Sequence, residues 1–242
     1  MDVSDISESI EKIIRYTKDN EDLMQCHHFL FNGIYKREER KNQNRLNTKA
    51  DVIVMSINPA ETKKDYEYEG PTPAQNSNVR DFHEDLPREN ISQSAKKWET
   101  KTEIFCERIF GRNINESAFF FWSSANKGKK FTETFGYKWK SKECNKHFHF
   151  CKERNIELIK YHKPKIVIAP GIGDAKYFSN MYEMKFIRRK SDENKKTKKT
   201  QRLIEHYELQ GIPFIFTKHW TGAFGFSKIQ EEIIIDYLRQ FS

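Results

Sequence analysis

The chain has 242 residues, of which 36% are hydrophobic and 14% aromatic, and its 43 Lys and Arg against 35 Asp and Glu give a net charge of +8. This length favours one domain, and the 4 cysteines are too few and too scattered for the disulfide framework of a small secreted protein. No apolar run approaches the roughly 20 residues of a membrane span, and the acidic start differs from a secretion signal, so we expect a cytoplasmic protein without membrane contact.

Helical segments are predicted on both sides of several loops. Residues 1–45 are predicted to form a helical cover for the rest of the domain, because isoleucines recur there at helical spacing. Residues 60–93 lack periodicity and contain several prolines, so we expect a long loop. Further helices are predicted at 95–109, at 148–159 and after Ser227.

Short apolar runs predict four strands, at 52–57, 118–123, 165–169 and 214–217. Such strands, separated by helices, are typical of a parallel sheet covered on both faces. We therefore predict a single α/β domain over 1–242 with a three-layer α/β/α fold, in which the central layer is a four-stranded parallel sheet.

In the last helix we expect one apolar face, formed by Ile229, Ile233, Tyr237 and Phe241.

The carboxyl ends of parallel strands are the usual place for a ligand site. Small and polar residues follow each predicted strand, at 56–60, 123–126, 170–173 and 218–222. Two of them are informative. An amide does not ionise, so Asn58 can orient a water but cannot act as a strong general base. His219 can donate a hydrogen bond to charge that develops on a leaving group. This pair suits a bond that breaks largely by itself, leaving a cationic sugar and an anionic base.

Two motifs carry a resemblance to a known family. The sequence S-I-N-P-A at 56–60 resembles the G-I-N-P-G motif of the mismatch-specific uracil/thymine branch of the uracil-DNA glycosylase superfamily. The sequence H-W-T at 219–221 resembles the H-P-S motif after the last strand of that superfamily, and the order of the intervening elements also matches. The resemblance implies a uracil-DNA glycosylase-like fold and a DNA glycosylase that flips a pyrimidine and hydrolyses its N-glycosidic bond without metal or cofactor.

The resemblance also implies roles for individual residues. Asn58 would position the attacking water, and His219 would stabilise the departing base. The backbone around Ser56 and Ala60 would line the base pocket. A monofunctional enzyme is expected because no lysine occupies a motif position from which it would attack the sugar, with Lys218 the nearest.

Aromatic and polar residues near these motifs would complete the contacts to DNA. For the aromatic side chain that stacks on the flipped base we choose Phe82, with Tyr66 and Tyr68 as alternatives. The residue that reads the pyrimidine edge is Ser123, Ser124 or Asn126. The segment 221–226, which begins at Thr221, would press into the duplex, with Phe224 filling the vacated stack.

The substrate prediction rests on Ala60. Enzymes strict for uracil place a bulky Tyr shortly after the water-positioning residue, where it collides with a substituent at C5. Because alanine leaves this side open, we predict that the enzyme accepts a 5-substituted pyrimidine, such as a phage hydroxymethylcytosine derivative, in addition to uracil. The biological role would be DNA repair or antiviral defence.

Basic residues indicate DNA as the partner. Over 185–202 the chain carries 9 Lys and Arg, among them Arg188 and Arg189, against Asp192 and Glu193. This tract either contacts phosphates or is a solvated flexible loop. Three further lysines are predicted to contact phosphate: Lys127, Lys129 and Lys130. We expect the protein to act as a monomer.

Several alternatives stay open. Cys144, His147 and Cys151 could share a helix face and hold zinc. The sequence G-I-G-D at 171–174 half-matches a dinucleotide fingerprint, although a tight strand-to-helix turn explains it better. As a function, a catalytically silent module that binds modified DNA is one rival, and an enzyme that processes nucleotides is the other.

Overall fold

The computed structural model of the protein describes residues 7–23, 33–34, 49–57, 102, 106, 109–110, 114–122, 129–194, 199–220 and 227–242. Five α-helices lie in this part of the chain: α1 (Ser7–Lys18), α2 (Lys129–Phe135), α3 (Lys142–His162), α4 (Ala175–Met181) and α5 (Lys228–Leu238). The strands are β1 (Gly33–Ile34), β2 (Val52–Ser56), β3 (Ile114–Ala118), β4 (Ile166–Pro170), β5 (Lys185–Asn194), β6 (Lys199–Leu209) and β7 (Ile212–Thr217).

These strands form one mixed sheet in the order β1-β3-β2-β4-β7-β6-β5. β3, β2, β4 and β7 pair in parallel, whereas β1 is antiparallel to β3, and β6 is antiparallel to both β7 and β5. The α/β class is therefore confirmed. The sheet is larger than the predicted four-stranded parallel sheet, because three antiparallel strands extend it at its two ends.

Helices cover both faces of this sheet. On one face, α1, α3 and α4 pack on an aromatic core that includes Phe119, Phe148 and Phe178. On the other face, α5 and Trp220 cover the aliphatic residues of β2 and β4. Both cores are closed by side chains with little or no solvent exposure, which is why the central strands are apolar on both faces.

The predicted N-terminal cover is helical in α1 and in the short 3₁₀ helix Glu21–Leu23, whereas Gly33–Ile34 is a strand. α1 is fastened to α3, because Ser9 Oγ donates to Glu157 Oε2 at 2.7 Å and the ring of Tyr16 stacks on Phe150 at 3.8 Å. The other residues of 1–45 lie outside the described residues.

The second strand begins four positions earlier than predicted, at Ile114 rather than Ala118. Three consecutive polar residues, Asn115, Glu116 and Ser117, conceal it in the sequence. Ser117 is nevertheless fully buried, and its Oγ donates to Asn155 Oδ1 of α3 at 2.6 Å. Asn155 Nδ2 in turn donates to the carbonyl of Ala118 at 2.8 Å and to Tyr182 Oη at 3.0 Å. These bonds satisfy the hydroxyl of Ser117 and the carbonyl of Ala118, so α3 makes it possible to bury Ser117 in the core.

The last helix begins as predicted, and its predicted apolar face is correct at three of four positions. Ser227 and Gln230 form the expected capping box. The predicted apolar face was wrong at Ile229, whose side chain is 58% exposed. Tyr237 is buried as predicted, and Ile233 and Phe241 are partly buried against the same core. Ile234, Ile235 and Leu238 complete the buried face.

The described helices were also compared with what a bilayer requires. None of them combines the length and the apolar character of a membrane-crossing segment.

Candidate active site at the carboxyl edge of the sheet

The four parallel strands end at the same edge of the sheet, and backbone hydrogen bonds continue past their ends. The N–H groups of Phe119 and Phe120 donate to the carbonyls of Ser56 and Ile57 at 2.9 and 3.0 Å. The N–H of Gly171 donates to the carbonyl of Thr217 at 2.9 Å. These bonds extend the β2–β3 and β4–β7 pairs past the ends of the strands.

The two predicted catalytic residues follow strands that lie two positions apart in the sheet. β4 lies between β2, which leads to Asn58, and β7, which leads to His219. Two strand spacings separate the backbones of β2 and β7 by about 10 Å.

Gly171 allows this close packing at the end of β4. A Cβ atom at this position would lie 3.0 Å from Ile57 Cδ1, and its φ of +139° is one that side-chain-bearing residues rarely adopt. The Ile57 side chain therefore occupies the space that a larger residue would fill. Since Ile57 directly precedes Asn58, the end of β4 lies against the chain within the first motif.

The described part of the chain contains few of the predicted site residues. Ser56 is half-buried, and its Oγ donates to the carbonyl of Ser117 at 3.3 Å. His219 is exposed and precedes the buried Trp220, whose Nε1 donates to Thr102 Oγ1 at 3.0 Å. Lys129 and Lys130 begin α2. The predictions that lie outside the described residues are those for Asn58, Ala60, Tyr66, Tyr68, Phe82, Ser123, Ser124, Asn126, Lys127, Thr221 and Phe224.

The expectation of small polar residues directly after the second strand was wrong. β3 ends at Ala118, and the residues that follow are Phe119, Phe120, Phe121 and Trp122, all of them buried. The run was mistaken for a strand because it is continuously apolar. Ser123, Ser124 and Asn126 therefore follow this aromatic run and not the strand itself.

The 171–174 segment forms the tight turn that the sequence favours over a dinucleotide site. It also carries the carboxylate of Asp174. The 3₁₀ helix Ile172–Asp174 leads directly into α4. Asp174 is largely buried, and its Oδ1 pairs with Lys140 Nζ at 2.6 Å. The same ammonium lies 4.4 Å from the ring centroid of Tyr177. This ion pair joins the loop before α3 to the carboxyl edge.

Lys218 is connected to its surroundings by side-chain amides. Its Nζ lies 3.4 Å from Gln201 Oε1 and 3.4 Å from Gln230 Oε1. Gln230 Nε2 donates to Asp192 Oδ2 at 3.3 Å. The network links β5 and β6 to the start of α5 and to the residue beside His219. The Lys218 ammonium thus has two oxygen partners in the structure.

The basic tract is an ordered β-hairpin where it is described, since residues 185–194 form β5 and β6 begins at Lys199. Its two predicted DNA contacts have different surroundings. Arg188 Nε donates to Tyr237 Oη at 2.5 Å, and its guanidinium also donates to Gln240 at 2.9 Å, so Arg188 fastens β5 to the end of the chain. Arg189 is half-exposed and pairs with the buried Glu205 at 2.8 Å.

Of the three residues considered for zinc, His147 instead anchors the N-terminal segment. His147 Nε2 lies 2.9 Å from Asp22 Oδ2, and its Nδ1 lies 3.1 Å from Tyr16 Oη, so both ring nitrogens are engaged. Burial raises the pKa of the Cys144 thiol to about 12 and raises that of Cys151 as well, which keeps both thiols protonated. Within the described ranges there is no group of three side chains placed to hold a metal ion.

Comparison of the chain with protein-family models and with curated proteins found no match. The case for a function therefore rests on the residues at the carboxyl edge and on the two motifs that follow β2 and β7.

Proposed function

We propose that this protein is a monofunctional DNA glycosylase with a uracil-DNA glycosylase-like fold, which flips a pyrimidine and hydrolyses its N-glycosidic bond. One observation carries the proposal. β2 and β7 flank β4 in parallel, so the chain enters both motifs at one edge of the sheet. Residues that follow these strands can reach a single substrate, which is what an amide and an imidazole acting on one bond require.

In the proposed mechanism the bond between C1′ of the sugar and N1 of the base breaks first. The electron pair leaves with the base, and His219 donates a hydrogen bond to the base oxygen on which negative charge develops. Asn58 holds a water near C1′, and the water oxygen forms the new bond to the cationic sugar. The water loses a proton as that bond forms, and the departing base gains one. The products are a free base and an abasic site.

The proposed mechanism does not need a strong general base. The cationic sugar is electrophilic enough for a water that is oriented and only weakly activated. An asparagine, which cannot accept a proton at neutral pH, is therefore sufficient after β2.

The proposed substrate is a pyrimidine with a substituent at C5, with uracil also accepted. Ala60 presents only a methyl group where uracil-strict enzymes carry a tyrosine. A bulky hydroxymethylcytosine derivative of phage DNA fits such an open position. An enzyme with this preference would serve antiviral defence in the cytoplasm, whereas one restricted to uracil would serve repair.

The Asn58→Ala variant tests the proposal directly. We expect it to lose the formation of abasic sites in duplex DNA while it retains salt-sensitive binding of the same duplex. Asn180→Ala is the matched control, because it removes the same group from an exposed position in α4 and should leave both properties unchanged.

Two outcomes would contradict a glycosylase. Duplex binding by the wild type without abasic sites would identify a silent module that recognises modified DNA. Turnover of free nucleotides with little affinity for duplex would identify a nucleotide-processing enzyme.

A further inference from the structure

The β5–β6 hairpin extends beyond the carboxyl edge of the sheet. Thr217, the last residue of β7, pairs with Ile204 of β6, so residues 199–203 of β6 continue past the end of β7. Residues 191–194 of β5 pair with residues 199–202 of this extension. At about 3.4 Å per residue, the extension is on the order of 17 Å long. We call it the arm.

At the base of the arm a buried carboxylate holds two arginines. Glu205 has only 1% of its side chain exposed, and its Oε1 pairs with Arg189 at 2.8 Å and with Arg202 at 3.0 Å. Tyr207 Oη donates to the other carboxylate oxygen at 3.0 Å. One arginine comes from each strand, so both guanidinium groups are positioned side by side.

The strand register explains this arrangement. Arg189 lies directly opposite Glu205 across the β5–β6 pair. Arg202 lies three residues away along β6, and simple alternation would place it on the other face. A register shift between Lys190 and Ser191 brings it to the Glu205 face. The irregularity therefore creates the arginine pair.

The pair has the charge and the exposure that a phosphate contact needs. Two guanidinium groups and one carboxylate have a net charge of +1, and the arginine side chains are 51% and 43% exposed. Each guanidinium has five N–H donors, and each uses one of them on Glu205. Because the buried carboxylate already orders both side chains, little conformational entropy is lost when an anion binds.

The position of Arg202 connects the pair to the proposed site. The N–H of Lys218 donates to the carbonyl of Leu203 at 3.0 Å. Along the extension of β6, Arg202 is the neighbour of Leu203, and His219 is the residue after Lys218. Arg202 and His219 therefore lie at the same level of the carboxyl edge. A strand whose base occupies that edge would pass its backbone beside Arg202.

The opposite face of the hairpin has a different role. Arg188 and Lys190 lie over the ring of Tyr237, at 4.6 and 5.0 Å from its centroid. Their contacts hold the hairpin against α5, and this leaves the Glu205 face to present its arginines to solvent.

We propose that Arg189 and Arg202 form a clamp for the phosphodiester backbone of a DNA strand that lies along the arm. The choice of DNA as the ligand rests on the proposed function. The competing explanation is that the two arginines only neutralise Glu205, in which case they would affect folding and not binding.

The test uses the full-length Arg189→Gln and Arg202→Gln variants and a short unmodified duplex. The dissociation constant is measured between about 50 and 200 mM salt, over which each lost phosphate contact reduces the slope of log K against log salt by about 0.9. Lys165→Gln is the matched control, since this exposed lysine precedes β4 at the opposite edge of the sheet. We expect each arginine variant to lose about one contact and the control to lose none.

Charge-conserving variants keep the test decisive if a glutamine variant folds poorly. Arg189→Lys and Arg202→Lys retain a charged donor, so we expect them to keep the wild-type salt slope while their denaturation midpoints report the contact with Glu205. Salt slopes of the glutamine variants that equal that of Lys165→Gln would overturn the clamp.

The outcome separates the clamp from the proposed function. If the wild type releases no base from any duplex, the glycosylase proposal fails, and the salt slopes still decide whether the arginines bind DNA. If the wild type releases base and the glutamine variants keep its slope, only the clamp fails. A correct clamp predicts weaker binding and a lower salt slope in the glutamine variants than in the wild type.

Discussion

Gly171 offers a sharp test of how the carboxyl edge is built. Its φ of +139° and ψ of +58° lie outside the regions that other residues occupy without strain. The Gly171→Ala substitution would hold an alanine in that conformation, at a cost of about 1–3 kcal/mol. The new Cβ would also lie 3.0 Å from Ile57 Cδ1 and 3.1 Å from Ile57 Cγ1, so the Ile57 side chain must move.

The two effects set the expected magnitude. Crowding in a packed region costs about 1–3 kcal/mol, and here the lower end applies because Cδ1 is the far end of a flexible side chain. We therefore expect the free energy of unfolding to fall by about 2–4 kcal/mol. Because Ile57 precedes Asn58, its displacement should also reduce the rate of base release by about tenfold or more.

Gly173→Ala is the matched control in the same turn. A Cβ at Gly173 meets no atom within 4 Å, and its φ is not in the left-handed range. It should leave base release unchanged and alter stability by less than about 1 kcal/mol, in the stabilising direction. Urea unfolding and single-turnover base release measure both quantities. Equal stability and equal rates for the two alanine variants would refute the idea that Gly171 shapes this edge.

Three further predictions concern stability, each measured by denaturant unfolding. Burial and Lys49 lower the pKa of His162 from 6.5 to about 4, and its Nδ1 accepts from the N–H of Ala50 at 3.0 Å. The unfolded state therefore binds the extra proton, and stability should decline as pH falls from 6.5 towards 4, by at most about 1.4 kcal/mol per pH unit. His162→Asn keeps a hydrogen-bond acceptor and should reduce this slope of stability against pH. An equally steep slope in the variant would contradict the role of His162. Asn155→Ala should cost about 2–5 kcal/mol because it leaves its buried partners Ser117, Ala118 and Tyr182 unsatisfied. Tyr182→Phe should cost about 1 kcal/mol, because it removes one hydrogen bond. Equal losses in the two variants would count against the hydrogen-bond network around Asn155. Ser227→Ala should cost about 1 kcal/mol by removing the helix cap, with Ser227→Asn near neutral; equal losses in both would argue against capping.

The central strands could be predicted because they are apolar on both faces. β2, β4 and β7 overlap the predicted runs, with ends that differ by two residues or fewer. β3 could not be predicted in the same way, since its buried Ser117 depends on Asn155 of α3 for a partner. Such a partner is distant in sequence, and no local pattern announces it.

The hairpin shows a second limit of sequence analysis. β5 is charged and lies at the outer end of the sheet, so it resembles a solvated loop. The pairing of Arg202 with the buried Glu205 depends on a register shift that brings Arg202 to the Glu205 face. The place of the candidate site could be predicted from the ends of the parallel strands, whereas the arginine pair depends on pairing that only the structure reveals.

The most direct test of the central claim is mass spectrometry of the bases that the protein releases from matched duplexes containing uracil, thymine or glucosylated hydroxymethylcytosine. We expect the wild type to release the 5-substituted base, and the His219→Ala variant to release it far more slowly. Release of uracil alone would contradict the open C5 side. Equal release by the wild type and by His219→Ala, or no release from any duplex, would contradict cleavage by residues that follow β2 and β7.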